Sequence, residues 1–155
     1  MTTPYENLYS RFLSKITDYD HDSMDSNTLN DLILGYLKGA LPKFIDSRTS
    51  LTRDDDTSLF SETLSELEEE IIASMMIIEW LNPRINFSDL LEKYLSPKDF
   101  NDFSPANQLK EIKSLRTTAQ GDVDTLIIKY SYNTDLSELS WQIQITSTMI
   151  NISTN

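Results

Sequence analysis

The sequence predicts a mainly α protein, a single-domain helical bundle with a C-terminal β-strand or hairpin arm. Three observations lead there. Apolar residues recur at spacings of three and four over most of the chain, as amphipathic helices require. Only three Gly and five Pro occur in 155 residues, too few turn-formers for a sandwich of many short strands. After Tyr132 the apolar spacing changes to two. Residues 1–132 are therefore expected to form the helical bundle and residues 133–155 an extended, strand-forming arm.

Pro4, whose φ is preset for a first turn, is expected to start the first helix. Tyr5, Leu8, Tyr9, Phe12, Leu13 and Ile16 then make one apolar stripe, ending near Thr17. A second helix is expected over 26–45, where Leu29, Leu32, Ile33, Tyr36, Leu37, Ala40, Leu41, Phe44 and Ile45 keep the same period. Pro42 lacks a backbone donor and should kink or end it. Gly35 and Gly39 stand one turn apart; they either let a neighbouring helix approach or are simply tolerated.

Residues 47–65 read as a loop. Residues 54–70 hold eight acids and no basic residue. Ser65 and Glu68 form an S-x-x-E capping box, and the glutamates beside it fall where a helix dipole favours anions. The helix that follows should run to about Asn82 and stop at Pro83. Between 71 and 81 it is apolar on nearly every side, as a central buried helix would be. A short helix is expected over 88–95. Ser104 as N-cap and Pro105 at the first helical position then open a long helix striped by Leu109, Ile112, Leu115, Arg116, Ala119, Val123, Leu126, Ile127 and Tyr130. Trp141-Gln142-Ile143-Gln144-Ile145-Thr146 alternates apolar and polar, and Met149-Ile150-Asn151-Ile152 is β-branched, so both read as strand. A strand with no partner in its own chain must pair elsewhere. Trp141, Ile143, Ile145, Met149, Ile150 and Ile152 are thus the candidate partner-binding residues, with Trp141 either an interface anchor or packed onto its own domain.

Composition narrows the function. The formal net charge is −12, from 25 Asp and Glu against 13 Lys and Arg. That sign repels phosphate backbones and anionic lipid, which argues against nucleic-acid and membrane partners. It leaves solubility, attraction to a basic protein, or mimicry of nucleic acid. With no cysteine there is no disulfide, thiol chemistry or thiolate metal site. The first residues lack a signal peptide's basic start and apolar run. The expectation is a protein made in the cytoplasm.

No constellation carries chemistry. Asp18, Asp20 and Asp22 imitate the opening of a calcium loop, but Ser23 stands where Gly is needed and Leu29 where a bidentate Glu is needed. His21 is the one histidine and lies in that polar stretch. There is no GxGxxG, P-loop or HExxH. The carboxylate pairs Glu68–Glu69 and Asp54–Asp56 belong to acidic runs and read as a solvated face. Met75, Met76 and Trp80, at helical spacing among isoleucines, read as core rather than an adaptable binding face. An enzyme, a cofactor and a metal site are not expected; binding and assembly are.

Three stretches carry a resemblance to a known group. They are Pro4-Tyr5-Glu6-Asn7-Leu8-Tyr9-Ser10-Arg11-Phe12-Leu13-Ser14-Lys15-Ile16-Thr17-Asp18-Tyr19, Glu79-Trp80-Leu81-Asn82-Pro83-Arg84-Ile85, and Lys98-Asp99-Phe100 followed by Ser104-Pro105-Ala106-Asn107-Gln108-Leu109-Lys110. They resemble small virion structural proteins of tailed phages of Gram-positive bacteria, over roughly residues 4–132. The resemblance implies a head–tail connector, or neck adaptor: a helical bundle with an arm that assembles as a ring-shaped homo-oligomer. Its partners would be copies of itself, the portal and other neck or tail proteins, and its place the head–tail junction of the virion. The alternatives are another phage tail or baseplate protein, or a small acidic inhibitor that binds a basic host protein through the 54–70 carboxylates.

Overall fold

In a computed structural model the chain is described over residues 2–16, 25–94 and 105–153, with side chains described to residue 87 and again over 107–133. Four α-helices make up the described fold: α1 (Tyr5–Lys15), α2 (Ser26–Ala40), α3 (Glu66–Tyr94) and α4 (Pro105–Ser153). A two-stranded antiparallel hairpin, β1 (Arg53–Asp54) and β2 (Leu59–Phe60), lies between α2 and α3. The mainly α expectation holds. None of the described helices is long and apolar enough to cross a membrane.

Helix α3 is the centre, and α1, α2 and α4 all pack on it. The sequence explains why. Ile71, Ile72, Ala73, Met75, Met76, Ile78 and Leu81 are all buried, covering most of the helix circumference, so neighbours are needed on several sides. All but Leu81 meet Tyr5, Leu8 and Phe12 of α1, Ile33, Leu37 and Ala40 of α2, and Val123 and Tyr130 of α4 in one core. Met75 and Met76 are core residues, as expected; Trp80 is half-buried against that core, with the Arg84 guanidinium 4.3 Å from its ring centroid.

Local signals account for most helix ends. Asp25 caps α2 by accepting from the Asn27 and Thr28 amides. Helix α2 ends at Ala40 and tightens into a 3₁₀ turn over Leu41–Lys43, the early end that Pro42 requires. The capping box forms: the Ser65 amide donates to Glu68 Oε2 at 2.8 Å, and the Glu68 amide to Ser65 Oγ at 3.3 Å. Gly39 is where α2 comes close to α3, since a Cβ there would stand 2.8 Å from Glu79 Oε2; at Gly35 the space is open.

Four expectations are corrected. Helix α3 does not stop at Pro83 but continues to Tyr94, so the separate 88–95 helix is its continuation. Pro83 removes one backbone bond, while Arg84 Nη1 donates to the Trp80 carbonyl and α4 lies alongside, with Arg116 Nε donating to Asn82 Oδ1. Tertiary packing outweighs the local stop signal.

Residues 47–65 are not all loop. They hold the hairpin, to which the N-terminal residues pair: the Phe60 amide donates to the Thr3 carbonyl, and the Thr3 amide to the Glu62 carbonyl. Thr3 is buried, and its hydroxyl accepts from the Leu64 amide at 2.8 Å.

Glu68 and Glu69 are not a solvated face, being 2% and 6% exposed. They sit on the side of α3 that meets α1 and α4, where hydrogen bonds replace their water.

The C-terminal β-strand or hairpin arm is not there. Residues 133–153, including Trp141, Ile143, Ile145, Met149, Ile150 and Ile152, continue α4 as helix. Six residues of period two cannot be told from helix by pattern alone. Beyond Pro105 no proline and one glycine, Gly121, interrupt the chain. A helix already nucleated extends at small cost per residue, even through β-branched positions.

Candidate functional site

Helix α4 is held to the body by one row of residues. Leu109, Val123 and Tyr130 are buried, and Ala119, Leu126 and Ile127 pack against the core. From Arg116 to Tyr130 the chain advances fourteen residues along α4 while its α3 partner retreats fourteen, from Asn82 to Glu68. The two helices are therefore antiparallel and in even register. Two residues further, Tyr132 reaches the level of Glu66, where α3 begins. The remaining helix, residues 133–153, extends past the end of the helix it packs on by ~30 Å at about 1.5 Å per residue.

The departure point is anchored by a buried carboxylate. Glu68 Oε1 accepts from the Tyr130 hydroxyl at 2.7 Å and the Thr49 amide at 3.3 Å; Oε2 accepts from the Ser65 amide and hydroxyl, both at 2.8 Å. The Tyr130 hydroxyl in turn accepts from the Arg48 amide at 3.0 Å, and its ring meets Phe44 edge-on with centroids 5.5 Å apart. Burial pushes the Glu68 carboxyl up, but the bonds from Ser65, Thr49 and Tyr130 together outweigh it and hold it below the usual range. One side chain thus joins the start of α3, the segment after α2, and α4.

Beside this anchor the surface changes character. Ile128 is 56% and Tyr132 65% exposed, on the side of α4 away from α3. The six residues expected to bind a partner lie beyond them in the α4 extension; their backbone is helical, and their side chains lie outside the described residues.

Two clefts offer little chemistry. One of about 420 Å³ opens between α1, α3 and α4, lined among others by Lys15, Glu70, Asp122 and Lys129. Its two cations and two anions balance, Lys15 is paired with Glu70, and no histidine is among its lining residues. The other, also about 420 Å³, is the hollow of the hairpin over 51–56. Asp55 there accepts from Tyr5 Oη at 2.7 Å and Lys38 Nζ at 2.8 Å, and these partners with Arg53 hold its carboxyl down at about 2. Among the described residues no group of three or more His, Asp or Glu is placed to hold a metal. Asp18, Asp20, His21 and Asp22 lie outside the described residues.

The eight acids of 54–70 do not form one surface. Glu68 and Glu69 are interior, Glu69 bound by Arg11 Nε at 2.9 Å and Asn7 Nδ2 at 3.2 Å, and Glu70 pairs with Arg11 and Lys15. The anchoring role of Glu68 was missed by sequence reasoning. Its capping partner stands three residues away, but Tyr130 stands sixty-two away, and no local pattern links them.

Comparison with family models, with curated proteins and with solved structures finds no match for this chain.

Proposed function

We propose that this protein is a structural component of a tailed-phage particle, a neck adaptor at the head–tail junction that works by protein–protein assembly into a ring and uses no cofactor. The observation that carries the assembly part is the extension of α4. The 133–153 helix lies beyond the start of the helix that α4 packs on, and a segment of that length in which Ser, Thr, Asn and Ile outnumber the good helix formers is marginal in water unless something packs on it. The virion part rests on the resemblance of the 4–19, 79–85 and 98–110 stretches to phage structural proteins. The dispersal of the 54–70 carboxylates weighs against the acidic-inhibitor alternative, which needs them on one face.

The test is made in the phage that encodes the chain. Particles purified from lysates should contain the protein in several copies, by mass spectrometry. A chain ending at residue 132 should fold, retain the α3–α4 core and be missing from particles. Normal incorporation of that truncation would refute the role of the extension.

A further inference from the structure

The α4 extension carries two apolar rows, where a single row holds α4 to the body. At about 100° per residue, Ile128, Tyr132, Leu136, Leu139, Ile143 and Ile150 fall on one side of the helix. Trp141, Ile145, Met149 and Ile152 fall roughly opposite, in phase with Val123 and Tyr130, the residues that face α3 lower down. The first row begins on two residues that the structure exposes, on the side away from the body. The second begins only after the register with α3 has run out at Glu66.

We infer that each extension docks on two further copies of this chain, the first row of one helix against the second row of the next. A paired or three-stranded coil buries a single seam, whereas opposed rows require a neighbour on each side. Contact between unlike rows is heterologous and closes as a ring when the rotation per copy permits. Charge selects the occupant. Residues 131–155 contain no Lys or Arg, and after Glu138 no charge at all, on a chain of net charge −12. This is the stretch where like-charged copies meet with least repulsion, and it lacks the carboxylates that would draw a basic partner. The inference rests on the ring-assembly reading above and assigns the surfaces that make it.

Light scattering on the purified full chain tests it, with L139K/I143K breaking the first row and W141K/I145K the second. The wild type should exceed two copies and each variant should be monomeric. A one-to-one mixture of the variants should form a heterodimer and nothing larger, because a single complementary pair of rows remains. I128K/Y132K, altering residues exposed on the body itself, should also reduce assembly, and far-UV circular dichroism with unfolding curves reports that each variant is folded. A monomeric wild type, or variants that assemble like it, would overturn the inference. Homodimers of either variant would overturn the unlike-row geometry. A monomer that is nonetheless found in particles leaves the virion reading standing without this interface; oligomers absent from particles do the reverse.

Discussion

Replacing Tyr130 by Phe removes one oxygen from the junction of α3, α4 and the segment after α2. The ring stays, with its edge contact to Phe44, so no cavity larger than the hydroxyl forms. The bond donated to the Glu68 carboxylate at 2.7 Å and the one accepted from the Arg48 amide at 3.0 Å are lost. Glu68 keeps three donors, from Thr49 and Ser65, so it stays ionised but less well compensated. A bond to a charged group contributes about 1.5–3 kcal/mol, and the backbone bond to the hydroxyl adds about 0.5–1.5 kcal/mol. With partial relaxation, a destabilisation of about 2–3 kcal/mol is expected. Urea unfolding at neutral pH reads it as a lower midpoint at unchanged m-value, since the surface exposed on unfolding is the same. The helical signal of the folded baseline should also be kept. A Y130F midpoint indistinguishable from wild type would refute the anchor, as would a loss equal to that of Y130A, which adds the removal of a buried ring at about 3–5 kcal/mol.

The two α2 glycines should respond differently to alanine. Gly35→Ala enters open space and should stabilise by about 0.5–1 kcal/mol through helix propensity. Gly39→Ala must displace the Glu79 carboxylate from Lys43 and should gain less, the difference closing in a Glu79→Ala background; equal gains in urea unfolding would contradict the close approach. Stability should fall at both ends of the pH range. Glu68 is held below its ordinary value and Asp55 at about 2, so their contribution is present above the usual carboxylate range and lost as pH falls through the lowered values. Burial raises Tyr9 to about 12 and pushes Tyr5 and Tyr130 up, so theirs is present below ~10 and lost as pH rises through the raised values. Unfolding midpoints across pH, with tyrosinate absorbance on the alkaline side, check this; tyrosines that all ionise near 10 in the folded protein would contradict it.

What the sequence revealed and what it hid divide by the distance over which each signal acts. The stripe of α1, the cap at Ser65, the end of α2 before Pro42 and the start of α4 at Pro105 depend on residues within a turn of each other, and all were legible. The hairpin was not. Its strands are two residues each, and its turn reaches positive φ at Ser58 rather than at a glycine, so the usual turn residues are missing. The run of α3 through Pro83 and the burial of Glu68 depend on α4, which is remote in sequence.

The C-terminal segment is the instructive failure, because its pattern supports two periods at once. Read with period two, Trp141, Ile143 and Ile145 share one face of a strand. Read at 3.6, Leu136, Leu139, Ile143 and Ile150 line up, and Ile143 falls across the helix from Trp141 and Ile145. Over six residues neither reading excludes the other. The choice is made upstream: α4 has already formed against α3, so each added residue costs only the tenths of a kcal/mol that separate Ile or Thr from Ala, whereas a strand would need a partner to supply its ladder. The change of period alters more than an element label. As a strand, the segment would present one apolar face and add to the edge of one neighbouring sheet. As a helix it presents two opposed rows, and the same residues then call for a neighbour on each side.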